Sequence, residues 1–212
     1  MSRMEPYDVW VPLPQSTNVP GTSRPLIINN VVVTLNVENY VPNNQKTRTP
    51  GASRFKPDRT ERFLGKDFSG TVLIFRSGKG VIVGLTGTEH LPLFLAHLQG
   101  YLSQVCGHFC PLTRIGVQNI VVNSQITDAE GRDVRVNLHT LRDRANCAVS
   151  YTPEQFPGAR LTLGTYSINL FQSGKYVLPG VKNMKSVLEA NRMFLDFIEP
   201  HRSFILLDRM PA

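Results

Sequence analysis

The sequence repeats one phrase 96 residues apart, and this duplication limits the possible folds more than any other feature. The first copy, VLIFRSGKGVIVGLT, runs from Val72 to Thr86, and the second, INLFQSGKYVLPGVK, runs from Ile168 to Lys182. Each copy is an apolar run, a Ser-Gly-Lys turn and a second apolar run that ends at a glycine. Two strands joined by a tight glycine-containing turn form a β-hairpin. A period this long indicates a duplicated half-domain and not a solenoid unit.

Alternation within the second copy predicts which side chains share a face of the sheet. One face carries Thr165, Ser167, Asn169 and Phe171, and the other carries Tyr166, Ile168 and Leu170. The first face leaves a large aromatic ring among polar groups. A ring in that setting indicates a binding face.

Further elements follow from periodicity and from helix and strand signals. Strands are predicted at Ile27–Leu35 and Val117–Asn123, around Phe63, and from Phe156 onward, and a final strand at Phe204–Leu207 is one interpretation of the tail. Helices are predicted at Thr88–Val105, at Val136–Ala148 with Asn137 as its N-cap, and at Met184–Ile198, which Pro200 ends. Expected apolar helix positions are Leu91, Leu95, Leu98 and Leu102, then Met184, Val187, Leu188, Leu195 and Ile198. The predicted organisation is a flexible N-terminal arm (1–25), two halves (26–112 and 113–200) and a C-terminal tail (201–212).

Charge favours a polyanionic partner, most simply nucleic acid, since the formal net charge is +7 and the sequence pI is about 9.6. Part of this charge lies in the polar loop 42–66, which contains seven Lys and Arg residues but only two acidic residues, Asp58 and Glu61. Two interpretations of this loop stay open: a solvated loop, and a basic arm that contacts phosphate.

Other functional classes lack their signals. No apolar run approaches the roughly 20 residues of a membrane span. Cys106, His108 and Cys110 are too few for a zinc site, and the Gly-Lys-Gly at 78–80 lacks the rest of a phosphate loop. We therefore expect a protein that is not an enzyme and that needs no metal or cofactor.

An ordered set of motifs completes the sequence evidence. It comprises QNIV, VNLHTLRDRA, YTPEQFPG, LFQSGK and GVK, all within 118–182. This set resembles the TATA-box-binding protein (TBP) family. The resemblance covers about Ile27 to Ile198 and is stronger in the second half. It implies an α+β fold: a duplicated TBP-like saddle, with a curved antiparallel sheet whose concave face sits on the DNA minor groove and whose helices lie on the convex face.

The resemblance also implies DNA contacts, residue by residue. Wedge phenylalanines correspond to Phe75, Phe156, Phe171 and Phe55, the last chosen over Phe63. Central amides correspond to Asn30 and Asn119; apolar groove contacts to Val32, Leu73, Val81, Val121 and Val177; and turn contacts to Ser77, Lys79, Ser173 and Lys175. Three positions depart from the family pattern and remove or reshape a groove contact, namely Val83, Asn169 and Pro179.

The implied function is a general transcription initiation factor in the nucleus. Such a factor binds the minor groove of double-stranded promoter DNA, bends it and recruits initiation factors and RNA polymerase. A TFIIB-type factor would dock at Glu154, and a weak homodimer would form through the concave face; no membrane partner is expected. The alternative is a TBP-like protein-interaction module with weak or no specific DNA binding.

Overall fold

The chain divides into two compact units in a computed structural model that describes residues 16–17, 23–43, 56–65, 69–87, 89–145 and 148–207. One unit is built on residues 29–119, and the other combines 15–28 with 120–212. The predicted halves, 26–112 and 113–200, follow the repeat, whereas the compact units follow contacts. The two divisions therefore differ at the ends of two long strands, β2 (Leu26–Val37) and β6 (Leu112–Gln125).

The other strands are β1 (Ser16–Thr17), β3 (Arg59–Leu64), β4 (Ser69–Ile74), β5 (Lys79–Leu85), β7 (Arg135–Val136), β8 (Val149–Ser150), β9 (Gly158–Leu163), β10 (Tyr166–Phe171), β11 (Lys175–Val181) and β12 (Leu206–Leu207). The helices are α1 (Leu91–Cys106), α2 (Leu138–Arg144), α3 (Met184–Ile198) and α4 (Arg202–Ile205), with a 3-10 turn at Glu199–His201.

In the first unit the strands follow the order β3-β4-β5-β2, and each neighbouring pair is antiparallel. The first part of β6 lies beside β2, where the Gln118 side chain donates a hydrogen bond to the Thr34 hydroxyl over 3.0 Å. The predicted short strand around Phe63 is confirmed as β3. Helix α1 covers one face of this sheet, since Phe94 lies over Gly70 of β4.

In the second unit the order is β6-β11-β10-β9-β8, again antiparallel. The first residues of β2 also belong to this unit, where they pair with β1. Helix α3 packs on the sheet through Phe194, whose ring lies 4.4 Å from that of Tyr176 in β11. Strands β7 and β12 form a separate antiparallel pair, so the predicted tail strand is confirmed for Leu206–Leu207 only, whereas Phe204 and Ile205 lie in helix α4.

Both predicted hairpins are present, and their turns match. The Gly78 N–H donates to the Phe75 carbonyl over 2.9 Å, and the Gly174 N–H donates to the Phe171 carbonyl over 2.8 Å. Both glycines have φ near +80°, a conformation that costs a side-chain-bearing residue energy. Strands β5 and β11 also bury the same positions in the same order, so the sequence repeat is a structural repeat.

The buried faces of α1 and α3 differ in detail from the predicted ones. In α1, Phe94 is buried where Leu95 was expected, because the stripe advances by three residues and then by four. In α3, Val187 and Ile198 are buried as predicted, whereas Leu188 is 39% exposed and Met184 and Leu195 are only partly buried. The buried stripe of α3 is Val187, Ala190, Asn191, Phe194 and Ile198.

Helix α2 is shorter than predicted at both ends. The Asn137 side chain accepts a hydrogen bond from the Thr140 N–H over 3.0 Å, which confirms the N-cap. Val136, predicted as helical, instead pairs with Leu206 across β7 and β12. Most of the predicted N-terminal arm lies outside the described residues, but the Arg24 N–H donates to the Gln125 carbonyl within the second unit. None of the helices in the described ranges is long and apolar enough to cross a membrane.

Candidate nucleic-acid interface

Each unit has a sheet face that its helices leave uncovered. In the first unit this face carries Asn30, Val32, Leu73 and Val81, which are half-buried. Their strand neighbours on the opposite face, including Val31, Val33, Val72 and Ile82, are fully buried. Strict alternation thus separates a core face from an accessible face, as the sequence predicted.

Asn30 is held in a defined orientation. Its side-chain oxygen accepts a hydrogen bond from the Gly84 N–H over 2.8 Å. Gly84 has φ +82° and lies at a register irregularity between β5 and β2, which turns its N–H toward β2. Because the amide oxygen is occupied, the Asn30 NH2 group is the part left for a ligand. An NH2 group suits the acceptors on the floor of an A·T minor groove.

The second unit presents the corresponding set. Val121, Val177, Asn169 and Phe171 are half-buried on the uncovered face, and Asn119 is half-buried at the end of β6 that belongs to the first unit. Asn169 lies opposite Arg160 across β10 and β9. The departures from the family pattern, Val83 and Pro179 included, are half-buried positions of these same faces.

The two hairpin turns carry exposed cations and hydroxyls. Ser77 and Lys79 are exposed in the first turn, and Ser173 and Lys175 in the second. Each serine hydroxyl accepts a hydrogen bond from the backbone N–H of the lysine two residues later, over 3.4 and 3.5 Å. The exposed lysine side chains can reach a phosphate from these turns.

At the end of the second unit, Phe156 and Phe171 form an aromatic pair. Their ring centroids are 5.7 Å apart and inclined at 61°. The Arg160 guanidinium lies 5.0 Å from the Phe156 ring on a cation–π contact. Gly158 lies under both rings, and a Cβ at that position would come within 2.9 Å of Phe156 and 3.0 Å of Phe171. The pair therefore requires glycine at 158.

The first unit has a different arrangement at the matching end. Strand register pairs Leu170 with Ala159 and Ile74 with Arg59, so Lys56-Pro57-Asp58 occupies the place of Phe156-Pro157-Gly158. Phe55, predicted as the fourth wedge, lies outside the described residues. Phe63 packs 5.3 Å from Phe94 of α1, which places it on the helix side of the sheet.

Asp58 is a buried carboxylate, with only 4% of its surface exposed. It accepts hydrogen bonds from the Tyr40 hydroxyl (2.7 Å) and the Asn43 N–H (2.9 Å), and Arg76 lies 3.6 Å away. Burial opposes ionisation, but these hydrogen bonds and the nearby positive charge outweigh it and hold the pKa of Asp58 below its ordinary value. The same carboxylate and burial raise the pKa of Tyr40.

Sequence reasoning missed four contributors at the two ends: Lys56, Asp58, Gly158 and Arg160. Alternation from Gly158 would have placed Arg160 on the face of Phe171, so that signal was present. The role of Asp58 had no such signal, because the polar segment 42–66 gives no register until β3 pairs with β4.

Glu154 is exposed in the turn that precedes Phe156. The Gln155 and Phe156 N–H groups both donate to the Thr152 carbonyl over 3.0 Å, so the turn is closed by its own backbone. Thr152 is exposed as well. The turn thus presents one carboxylate next to the aromatic pair.

This chain is similar to known proteins. The family model described as transcription factor TFIID (or TATA-binding protein, TBP) matches residues 114–201, in the half where the sequence resemblance is stronger. The TATA-box-binding proteins of Methanopyrus kandleri and Pyrococcus furiosus are 31% and 35% identical to this chain, over 144 and 126 residues respectively. These matches cover 64% and 58% of this chain, and 75% and 62% of the two relatives.

A third relative and one solved structure extend over more of the chain. The TATA-box-binding protein of Sulfurisphaera tokodaii is 28% identical over 85% of this chain and 90% of its own length. The solved Methanococcus jannaschii TBP superposes with a TM-score of 0.61 at 22% identity, covering 82% of this chain and 98% of that one. This superposition confirms the predicted fold class, the duplicated α+β saddle.

Proposed function

The chain belongs to the TATA-binding protein family, and from that membership we propose that it is a general transcription initiation factor that binds promoter DNA in the minor groove and bends it. The observation that carries the proposal is the accessible face of each unit. In the first unit that face combines the Asn30 amide, whose oxygen is held by the Gly84 N–H, with flanking valines, and in the second unit it combines valines with a supported pair of phenylalanines.

The chemistry of this face fits the minor groove. The groove floor of A·T pairs offers acceptors only, which the Asn30 amide can contact, and valine side chains pack against the sugar walls. Insertion of aromatic rings with kinking is the established behaviour of this family. Lys79 and Lys175 at the turns supply contacts with the phosphate backbone, which dominate affinity and make it salt-dependent.

A band-shift titration tests this function. A duplex with a TATA box should bind more tightly than a scrambled duplex of the same composition, and affinity for both should fall as salt is raised. Equal binding of the two duplexes would leave the alternative, an interaction module without specific DNA binding.

Removal of the aromatic pair sharpens the test. Phe156→Ala/Phe171→Ala should weaken DNA binding by about 2–4 kcal/mol and reduce bending, because each ring stacks on a base. The melting temperature should change little, since both rings are partly exposed. Phe109→Ala is the matched control, because Phe109 is a 64% exposed ring elsewhere in the molecule. Normal bending by the double variant, or its unfolding, would contradict the proposal.

Recruitment of a TFIIB-type factor, and through it of RNA polymerase, is the second part of the proposal. Glu154 supports it, as an exposed carboxylate beside the aromatic pair on a turn closed by its backbone. Glu154→Arg should abolish capture of an archaeal TFIIB-type factor and leave DNA binding intact. Capture that survives the charge reversal would exclude this role.

The cellular location of the protein follows from the DNA that it is proposed to bind. The relatives named above are archaeal, so they give no support to the expected nuclear location, and we place the protein with the promoter DNA that it binds. The weak homodimer remains a prediction, and sedimentation of the DNA-free protein over a range of concentrations would test it.

A further inference from the structure

The two units end differently where they would meet DNA, and the difference is set by strand register. Leu170 pairs with Ala159 in the second unit, and Ile74 pairs with Arg59 in the first. Pro57 lies just before β3 and Pro157 lies just before β9, which fixes the correspondence between the segments 56–58 and 156–158. Lysine therefore stands where the second unit has Phe156, and aspartate where it has Gly158.

The second-unit end is built to hold a ring pair rigidly. Arg160 lies over the Phe156 ring, Phe171 meets the same ring in an edge-type contact, and Gly158 leaves the space beneath both rings. A ring held in one orientation before binding loses little conformational freedom when it enters a base step. This end can therefore act as a wedge.

The first-unit end holds a charge network in the same place. Asp58 fills the position that glycine leaves open, and Tyr40, Asn43 and Arg76 fix its carboxylate. Phe75 has no aromatic neighbour within the described ranges, so its ring lacks the support that Phe171 receives from Phe156. Lys56 is exposed, and its hydrated ammonium suits a phosphate and not the space between two bases.

We propose that the two units deform DNA unequally: the second unit unstacks a base step with Phe156 and Phe171, while the first unit holds the phosphate backbone through Lys56 and Lys79 without inserting a ring pair. This inference rests on the proposed function and specifies how each unit performs it. The family pattern has a wedge pair in each half, so this chain would kink DNA mainly at one end of its site.

The direct test compares two truncations at equivalent positions, Phe171→Ala and Phe75→Ala. The probe is a TATA duplex with a donor and an acceptor dye at its ends and 2-aminopurine at each outer base step. Phe171→Ala should weaken binding about 5- to 150-fold, the range for loss of one aromatic–base stack, and should remove most of the bend. Phe75→Ala should change affinity by about twofold at most and should keep the bend, because the half-buried Phe75 ring has no aromatic neighbour within the described ranges and enters no base step.

A lysine truncation and a reconstruction test the first-unit end from both directions. Lys56→Ala should lower the slope of log K against log salt by about one, with the bend unchanged. Lys56→Phe/Asp58→Gly should add a second unstacked step and increase the bend, provided that its melting curve is cooperative. Phe55→Ala belongs in the same series as the test of the fourth wedge that the sequence predicts.

Outcomes separate this inference from the function on which it rests. Equal loss of bending in Phe75→Ala and Phe171→Ala, or a lost kink in Phe55→Ala, would overturn the unequal deformation and leave the DNA-binding function standing. Wild-type protein that neither prefers nor bends the TATA duplex would overturn both.

Discussion

The two units place core residues at the same positions but fill them with different volumes. At the repeat spacing, the buried positions Leu91, Phe94, Leu98 and Leu102 of α1 correspond to Val187, Ala190, Phe194 and Ile198 of α3. In the sheet beneath, Gly80 corresponds to Tyr176. The first unit has its helix ring at Phe94, over Gly70 of β4. The second unit has Ala190 at the position of Phe94 and instead stacks Phe194 of the helix on Tyr176 of the sheet.

This difference between corresponding core positions shows what a duplicated fold preserves. Strand register, turn hydrogen bonds and the φ of the turn glycines are the same in both units, because they depend on the backbone. Side-chain volume is shared between helix and sheet, and only the sum must fill the space. The ends of the units have diverged further, since one keeps rings and the other a carboxylate.

The largest expected effect is on the ring of the second sheet. Tyr176→Ala should lower the free energy of unfolding by about 3–5 kcal/mol, because it leaves a cavity and removes the bond between the Tyr176 hydroxyl and Asn191. Tyr176→Phe keeps the volume and should cost only about 1–3 kcal/mol, for the unpaired amide oxygen. Urea denaturation measures both. Equal losses would mean that the hydroxyl, and not the volume, supports this unit.

The next effect concerns the contact between helix and sheet in the first unit. Gly70→Ala should destabilise by about 1–3 kcal/mol, because the new Cβ would come within 2.7 Å of the Phe94 ring. Phe94→Leu in the same chain should recover part of the loss, as the smaller side chain leaves room. A Gly70→Ala protein as stable as the wild type would show that α1 shifts freely over its sheet.

The carboxylate at the first-unit end should make stability depend on pH. The pKa of Asp58 is lowered in the folded protein, so its contribution is present above the ordinary value near 3.8 and is lost as pH falls through the folded value. Asp58→Asn should cost about 1–3 kcal/mol at neutral pH. The urea midpoint of this variant should fall less between about pH 6 and about pH 3 than that of the wild type.

Asp128 provides the control for that experiment. Its pKa is also lowered, through hydrogen bonds with the Arg132 backbone and side chain that outweigh burial, but its partner is largely exposed. Asp128→Asn should therefore change the acid-induced loss less than Asp58→Asn does. A larger change at Asp128 would remove the argument that burial strengthens the Asp58 network.

The smallest expected effect is an increase in stability. Gly100 lies in the middle of α1 with open space around its Cα, so Gly100→Ala should stabilise by about 0.5–1 kcal/mol through helix propensity alone. Thermal denaturation would detect it. Because Gly70→Ala makes the same chemical change in contact with Phe94, the opposite signs of the two variants would isolate the effect of packing.

Much of the fold was readable from the sequence because the repeat and the alternation are local signals. The hairpins, Asn137 as N-cap and the bounds of α3 are set by residues close in the chain. The buried stripe of α3 was misjudged, because Leu188 is as apolar as its neighbours and only the sheet decides which side faces inward. Asp58 could not be assigned, since its partners Tyr40 and Arg76 lie 18 residues away in each direction.

The N-terminal segment has a consequence for the order of folding. Residues 15–28 belong to the second unit, where Arg24 bonds to Gln125 and forms an ion pair with Asp133. Residues near Arg24 are therefore synthesised before their partners about 100 residues downstream, and contacts so distant in sequence slow the final folding step. A truncation that begins at residue 29 would remove β1 and the Arg24 contacts and should weaken the second unit, the half that carries the supported aromatic pair.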